Sequence, residues 1–215
     1  MDELEVLKKD WQSREQKFPK LSYDEIYQML WRKSSSMVKW IFYISIAELA
    51  LWIALAFIVP ESSKQINEAM GLKDAMLIAS IVGYVVTVIF IILFYKNYRT
   101  IKITDSIKEL MASILRTRKT VRYFVYYNIG TAIFLLIFTN IYYYQKRDTL
   151  YDTFKSISDN YASVPAESFT TVFFTAQIIV GVLLVLFLVV FYRLIYGILL
   201  QRLKRNYREL KKIED

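Results

Sequence analysis

The residue type best suited to chemistry in this sequence is a single carboxylate inside a long apolar run. The first such run extends from residue 37 to residue 59, and Glu48 falls at its midpoint. An ionisable side chain within a membrane costs several kcal/mol unless it is neutralised, paired or hydrated. Glu48 is therefore either a proton relay or ion ligand, or a protonated carboxyl that fixes the register of the helices. We favour the second, because no other carboxylate lies in the apolar runs and no basic residue shares its depth.

A few other polar residues are predicted to lie inside the membrane with Glu48. Counted by depth, Tyr84 in the second apolar run and Gln177 in the fourth are the nearest candidate partners of Glu48. Asn128 lies closer to one end of the third run. Each of the last three runs also holds one glycine, which predicts close packing of helices at that position. These glycines are Gly83, Gly130 and Gly181.

The composition excludes much of enzyme chemistry. The chain has no cysteine and no histidine, so disulfides, thiol nucleophiles, thiolate or imidazole metal sites and a histidine general base are all ruled out. Neither a Gly-rich phosphate loop nor a G-x-S-x-G elbow is present. We therefore predict no enzymatic activity, no cofactor and no metal site.

Four apolar runs are long enough to cross a membrane, which requires about 20 residues each. They do not alternate polar with apolar residues, so they predict an all-α membrane protein with four transmembrane helices and not a β-barrel. The runs cover residues 37–59, 75–95, 124–144 and 169–192.

The distribution of Lys and Arg predicts the orientation of these helices. Segments 1–36, 96–123 and 193–215 carry seven, eight and seven Lys/Arg, whereas 60–74 and 145–168 carry two and three. Because connections rich in Lys and Arg stay in the cytoplasm, both termini are predicted to be cytoplasmic. The net charge of +8 is then explained by topology and by attraction to anionic membrane lipid, and binding to nucleic acid is not expected.

The chain reads as two tandem hairpins that look like copies of each other. An S-x-x-E capping box occurs at Ser22–Glu25 and again at Ser106–Glu109. The motif F-x-x-x-F-Y-[KR] ends both returning spans, at 90–96 and at 187–193. The predicted organisation lists the parts in chain order: cytoplasmic amphipathic helices (1–36), transmembrane hairpin 1 (37–95), a cytoplasmic amphipathic connection (96–123), transmembrane hairpin 2 (124–192) and a basic helical tail (193–215). A further short helix carrying Leu150 and Phe154 is predicted over the mouth of the bundle on the other side.

The N-terminal segment is predicted to bind a protein partner. Its apolar residues recur at heptad-like spacing on a segment in which seven basic residues cancel seven acidic ones. Anionic lipid prefers a basic face, whereas exposed aromatic anchors suit a protein interface. The predicted partner-binding residues are Leu4, Leu7, Trp11, Phe18, Ile26 and Leu30.

The entry at residues 21–30 and the Ser34-Ser35-Ser36 step resemble small, uncharacterised four-helix inner-membrane proteins of bacteria. That resemblance implies location in the bacterial inner membrane and carries no activity. The first interpretation is a regulatory or scaffold anchor that binds a cytoplasmic protein, similar in layout to a transmembrane anti-sigma factor. The alternative is a subunit of a larger membrane complex or a small transporter that uses Glu48. Whether the protein forms a homo-oligomer is left open.

Overall fold

The computed structural model describes residues 22–102, 106–158, 161 and 163–214, with side chains described as far as Lys212. These residues form six helices and no strand. In chain order the helices are α1 (Tyr23–Ile58), α2 (Glu61–Ala69), α3 (Lys73–Lys102), α4 (Ile107–Gln145), α5 (Arg147–Ile157) and α6 (Ala166–Glu214).

Four of these helices are long and apolar enough to cross a membrane, which confirms the predicted number of spans. They are α1, α3, α4 and α6, and each contains one of the four apolar runs. Val59 caps the end of α1, and Pro60 is the N-cap of α2, as expected for a residue that cannot donate a backbone hydrogen bond within a helix.

The predicted amphipathic helices are not separate elements. α1 begins at Tyr23, well ahead of the first apolar run, and α4 begins at Ile107. α6 continues from the fourth run to Glu214 without a break. The predicted domain boundaries at residues 36, 95, 123 and 192 therefore fall inside continuous helices.

Both predicted capping serines cap a helix. The Ser22 backbone N–H donates to Glu25 Oε2 at 2.7 Å, and the Glu25 N–H donates to Ser22 Oγ at 3.3 Å. The Glu109 N–H likewise donates to Ser106 Oγ at 3.2 Å. These bonds satisfy N–H groups that a helix start leaves unpaired, and they fix where α1 and α4 begin.

The four long helices form one bundle in which α1 and α4 each pack against α3 and α6. The main core lies at the end of the bundle that carries most Lys and Arg, here called the basic end. Its buried side chains recur every three or four residues along each helix, as in the seam of a left-handed helical bundle. On α4 they are Leu110, Ile114, Thr117, Val121 and Phe124. On α6 they include Tyr196, Leu203, Asn206 and Leu210.

A smaller core closes the opposite end of the bundle. It contains Met70, Leu72, Tyr143, Leu150 and Phe169. α5 packs there against α2 and α6, which confirms the predicted short helix carrying Leu150. α2 was not predicted. The Tyr143 hydroxyl ties it to α4 by donating to Asn67 Oδ1 at 2.6 Å.

In the apolar 18-residue stretch of each long helix, only 6–17% of the residues are buried. Most of their side chains therefore face outward, as membrane-spanning helices require. The glycine prediction holds at one position of three. A Cβ at Gly181 would overlap the Leu136 side chain, so α4 and α6 approach closely there. It is wrong for Gly83 and Gly130, where nothing lies within 4 Å of an added Cβ.

Candidate functional site: the buried polar layers of the bundle

Glu48 lies on the buried face of α1 and is 5% exposed. Two tyrosine hydroxyls of α6 donate to its carboxylate. Tyr192 donates to Oε1, and Tyr196 donates to Oε2 at 3.2 Å. Both tyrosines are almost completely buried, so the two partners exclude water from the carboxylate. Glu48 therefore joins the first long helix to the last.

Aromatic rings from α3 and α4 surround this layer. The Phe124 ring meets the rings of Tyr192 and Tyr196 edge-on, with centroid distances of 6.3 and 5.9 Å. Phe94 packs edge-on against Phe124 from the other side, at 5.5 Å. Edge-to-face pairs at these distances add specific geometry to apolar burial. All four long helices thus contribute to one layer around Glu48.

The partners predicted for Glu48 from depth were wrong. Neither Tyr84 nor Gln177 bonds to it; Tyr84 is half-buried on α3, and Gln177 Oε1 is buried without a hydrogen-bond partner among the described residues. Asn128 donates to the Phe124 carbonyl of its own helix at 2.9 Å. The four residues predicted as an intramembrane polar set are therefore not brought together.

A second layer explains why Glu48 meets Tyr192. Asn206 of α6 donates to Ser34 Oγ of α1 at 3.0 Å, and both side chains are buried. Glu48 follows Ser34 by as many residues as Tyr192 precedes Asn206, and the two helices are antiparallel. The Ser34–Asn206 pair and the Glu48 pair therefore express one register. Buried polar residues are the usual means of selecting a register in a helical bundle.

Two further bonds join the remaining helices at the basic end. Trp31 Nε1 of α1 donates to the Ile101 carbonyl of α3 at 2.8 Å. Asn97 Nδ2 of α3 donates to Thr120 Oγ1 of α4 at 3.2 Å. From the sequence, no bond between helices was predicted for Trp31, Ser34, Asn97 or Asn206. The seam spacing of their helices could have identified them as polar residues at core positions.

The predicted partner-binding residues divide into two groups. Leu4, Leu7, Trp11 and Phe18 lie outside the described residues. Ile26 and Leu30 lie within α1, where Ile26 is half-buried against the main core. The prediction for Leu30 is wrong, because its side chain is fully buried inside the bundle and no partner can reach it.

The opposite face of α1 is open. A shallow depression of about 340 Å³ lies along it, and the side chains that line it are all exposed. Its charges are mixed, with one acidic and two basic groups. The lining residues are Glu25, Gln28, Met29, Arg32 and Lys33. Bonds from the Ser22 backbone and hydroxyl groups lower the pKa of Glu25, so this acidic group stays charged at neutral pH.

In the described part of the chain, no group of three Asp and Glu side chains is placed to hold a metal ion. The polar layers and the bonds beside them hold the four long helices in one register. No curated protein and no solved structure matches the chain. A family model described as a domain of unknown function, DUF8845, matches residues 24–215, which include nearly all of α1 and the other five helices. The chain therefore belongs to the DUF8845 family.

Proposed function

We propose that the protein is a non-enzymatic regulatory or scaffold anchor of the bacterial inner membrane that binds a cytoplasmic protein. The observation that carries this proposal is where the ordered core lies. The four membrane-length helices continue past their apolar runs at the basic end, and eight of the fifteen buried residues of the main hydrophobic core lie in these extensions. Three hydrogen bonds between the long helices lie there as well. These extensions give the protein an ordered helical surface outside the apolar runs.

Both termini belong on the cytoplasmic side in this proposal. The support is the Lys/Arg distribution, since the three segments at the basic end hold 22 such residues and the two at the other end hold 5. Exposed aromatic residues beside these charges, such as Trp40 and Tyr123, suit the membrane interface. In this orientation the open face of α1 lies in the cytoplasm.

The partner surface that we propose is this open face together with the N-terminal segment 1–21. Met29 lines the depression and is 38% exposed, and flexible methionine side chains adapt to partner surfaces. Arg32 and Lys33 on one side and Glu25 on the other offer complementary charges. The segment with Leu7, Trp11 and Phe18 joins α1 directly at its N-cap, so both parts can contact one partner.

The partner is tested by gentle detergent extraction and quantitative mass spectrometry of co-purifying proteins. A stoichiometric cytoplasmic protein should be recovered with the wild type. The substitutions Trp11→Ala and Met29→Asp should each reduce its recovery severalfold, because each removes an anchor of the proposed partner surface. Glu48→Gln is the matched control in the membrane half and should leave recovery unchanged. Loss of the partner with Glu48→Gln alone, or recovery of no stoichiometric protein, would contradict the proposal.

The orientation is tested separately by labelling single cysteines. Because the chain has no cysteine, each engineered thiol is unique. Ala112→Cys on α4 at the basic end and Ser62→Cys on α2 at the other end are both at exposed positions. In intact cells a membrane-impermeant maleimide should label Ser62→Cys only. Labelling of Ala112→Cys in intact cells would reverse the proposed topology.

We also propose that the two hairpins arose by duplication. Several equivalent positions have equivalent environments: Ser22 and Ser106 cap helices, and Val38 and Val121 are both fully buried. The exit motifs have diverged, since Tyr95 is 49% exposed whereas Tyr192 is buried beside Glu48. The Glu48 layer would then have arisen after the duplication, between α1 and α6, and not at the equivalent position around Tyr95.

The alternative function, a complex subunit or small transporter that uses Glu48, has less support. Both carboxylate oxygens of Glu48 accept bonds from tyrosines of the same chain. An ion or a passing proton would have to compete with these hydroxyls, whereas a structural carboxyl needs them.

A further inference from the structure

Three arginines lie near one another where α4 packs against α6 at the basic end. Arg118 and Arg122 lie one turn apart on α4, and Arg208 lies on α6. Arg122 and Arg208 are exposed, whereas Arg118 is half-buried. Within the described part of the chain, none of the three forms an ion pair.

Arg118 is the most unusual of these residues. Its Nε is buried and has no hydrogen-bond partner among the described residues. Burial lowers the pKa of Arg118, and the positive charges of Arg122 and Arg208 lower it further. A buried donor without a partner costs free energy, and so does a cluster of like charges. Both costs are removed when an anion binds.

Among the described residues, the nearest carboxylate in sequence pairs elsewhere. Glu209 lies next to Arg208 in sequence, yet it pairs with Arg205 at 3.7 Å on its own helix. The Glu25 carboxylate accepts from the Ser22 backbone N–H, whereas at the start of α4 it is the backbone N–H of Glu109 that donates to the Ser106 hydroxyl. In the described part of the chain, no carboxylate therefore pairs with the three arginines.

We propose that Arg118, Arg122 and Arg208 form a binding site for a phosphate group. The guanidinium fork matches the geometry of phosphate oxygens and binds them with two parallel hydrogen bonds. The phosphate can come from the headgroup of an anionic phospholipid or from a soluble phosphate compound. The lipid source is within reach because Arg122 directly precedes exposed Tyr123 and the third apolar run.

The test uses the full-length protein in nanodiscs of phosphatidylcholine, with two probes. One is phosphatidylglycerol added to the lipid mixture, and the other is inorganic phosphate in the buffer. Native mass spectrometry counts bound phosphatidylglycerol, and tryptophan fluorescence records thermal unfolding. The substitutions Arg118→Gln, Arg122→Gln and Arg208→Gln are made singly and together. For whichever of the two probes binds at this site, each substitution should weaken binding by about tenfold or more, because a charge-assisted bidentate contact is lost.

A charge-matched control separates this site from a general effect of positive charge. Arg99, Arg202 and Lys211 are exposed residues elsewhere at the basic end. The triple variant that replaces them with Gln loses the same charge and should bind as the wild type does. Arg118→Lys keeps the charge without the fork and should bind more weakly than the wild type.

The two sources give different patterns. Arginine-dependent retention of phosphatidylglycerol that inorganic phosphate does not displace assigns the site to a lipid headgroup. Arginine-dependent stabilisation by inorganic phosphate in pure phosphatidylcholine assigns it to a soluble phosphate compound. Equal behaviour of the site variants and the control triple with both probes would overturn the proposal. If Arg118→Gln does not fold, the exposed Arg122→Gln and Arg208→Gln variants decide the result.

Discussion

Removing the hydroxyl of Tyr192 is the most direct test of the Glu48 layer. Tyr192→Phe keeps the ring that packs against Phe124 and deletes only the donor to Glu48 Oε1. The Tyr196 bond to Oε2 remains. One buried carboxylate oxygen is then left without its partner in a place that water does not reach.

The size of the effect follows from the kind of bond lost. A hydrogen bond to a charged group contributes about 1.5–3 kcal/mol and a neutral one about 0.5–1.5 kcal/mol. Measured side-chain bonds between membrane helices average about 0.6 kcal/mol with a maximum near 1.7. We therefore expect Tyr192→Phe to lower the free energy of unfolding by about 1–2 kcal/mol. Glu48→Gln should cost less, because an amide can still accept from one tyrosine and donate to the other.

The assay is reversible unfolding in mixed micelles by titration with a denaturing detergent, followed by tryptophan fluorescence. A double-mutant cycle of Glu48→Gln and Tyr192→Phe should give a coupling energy of about 1 kcal/mol. Tyr95→Phe is the matched control, because Tyr95 occupies the same exit motif but is half exposed, and it should change stability by less than about 0.5 kcal/mol. Equal losses for Tyr192→Phe and Tyr95→Phe, with no coupling to Glu48, would refute the structural role of this layer.

Three further predictions concern other parts of the bundle. Gly181→Val should lower the free energy of unfolding by about 1–3 kcal/mol through overpacking, and Leu136→Ala should restore most of it in the same detergent titration, because the added Cβ overlaps the Leu136 side chain. Asn206→Leu should cost about 1–3 kcal/mol by leaving the buried Ser34 hydroxyl unpaired, whereas adding Ser34→Ala should recover much of the loss in thermal unfolding. Bonds from the cap lower the pKa of Glu25. The contribution of this carboxylate to the stability of the protein is therefore complete above the ordinary glutamate pKa of about 4.3 and disappears as the pH falls through the lowered pKa. Glu25→Gln should flatten this part of the curve of stability against pH.

Each of these predictions has an internal control. Gly83→Ala and Gly130→Ala add a Cβ into open space, so they should be neutral, and destabilisation equal to that of Gly181→Val would contradict the packing argument. An Asn206→Leu loss that Ser34→Ala does not reduce would mean that cavity or volume effects dominate. If Glu25→Gln leaves the low-pH part of the stability curve unchanged, the cap is not the origin of that pH dependence.

The number of the spans could be predicted because each apolar run must satisfy one simple requirement, the thickness of the bilayer. The helix starts at Ser22 and Ser106 could be predicted as well, because a capping box is a local interaction. Continuity between the caps and the spans was missed at Ser34-Ser35-Ser36. These serines look like a break in sequence, but the structure places Ser34 in the core with Asn206 as its partner.

The partners of Glu48 could not be predicted from depth. That reasoning assumes that each span fills the bilayer alone and is centred in it. In the structure Glu48 bonds to Tyr192 and Tyr196, which lie at the end of the fourth apolar run that faces the basic end. Glu48 therefore lies closer to the basic end than the centre of its apolar run suggests. Its level is set by packing against α6, which is a relation between residues far apart in sequence.

The two polar layers shared by α1 and α6 have a mechanical consequence. Fourteen residues separate Ser34 from Glu48, which corresponds to about 21 Å along a helix at 1.5 Å per residue. Sliding either helix by one turn would break both layers at once, so the pair is stiff along its axis and resists shear. A pull on the N-terminal segment enters this pair at Ser22 and meets no hinge before Ile58. We therefore expect the first and last helices to move as one unit when the N-terminal segment is pulled.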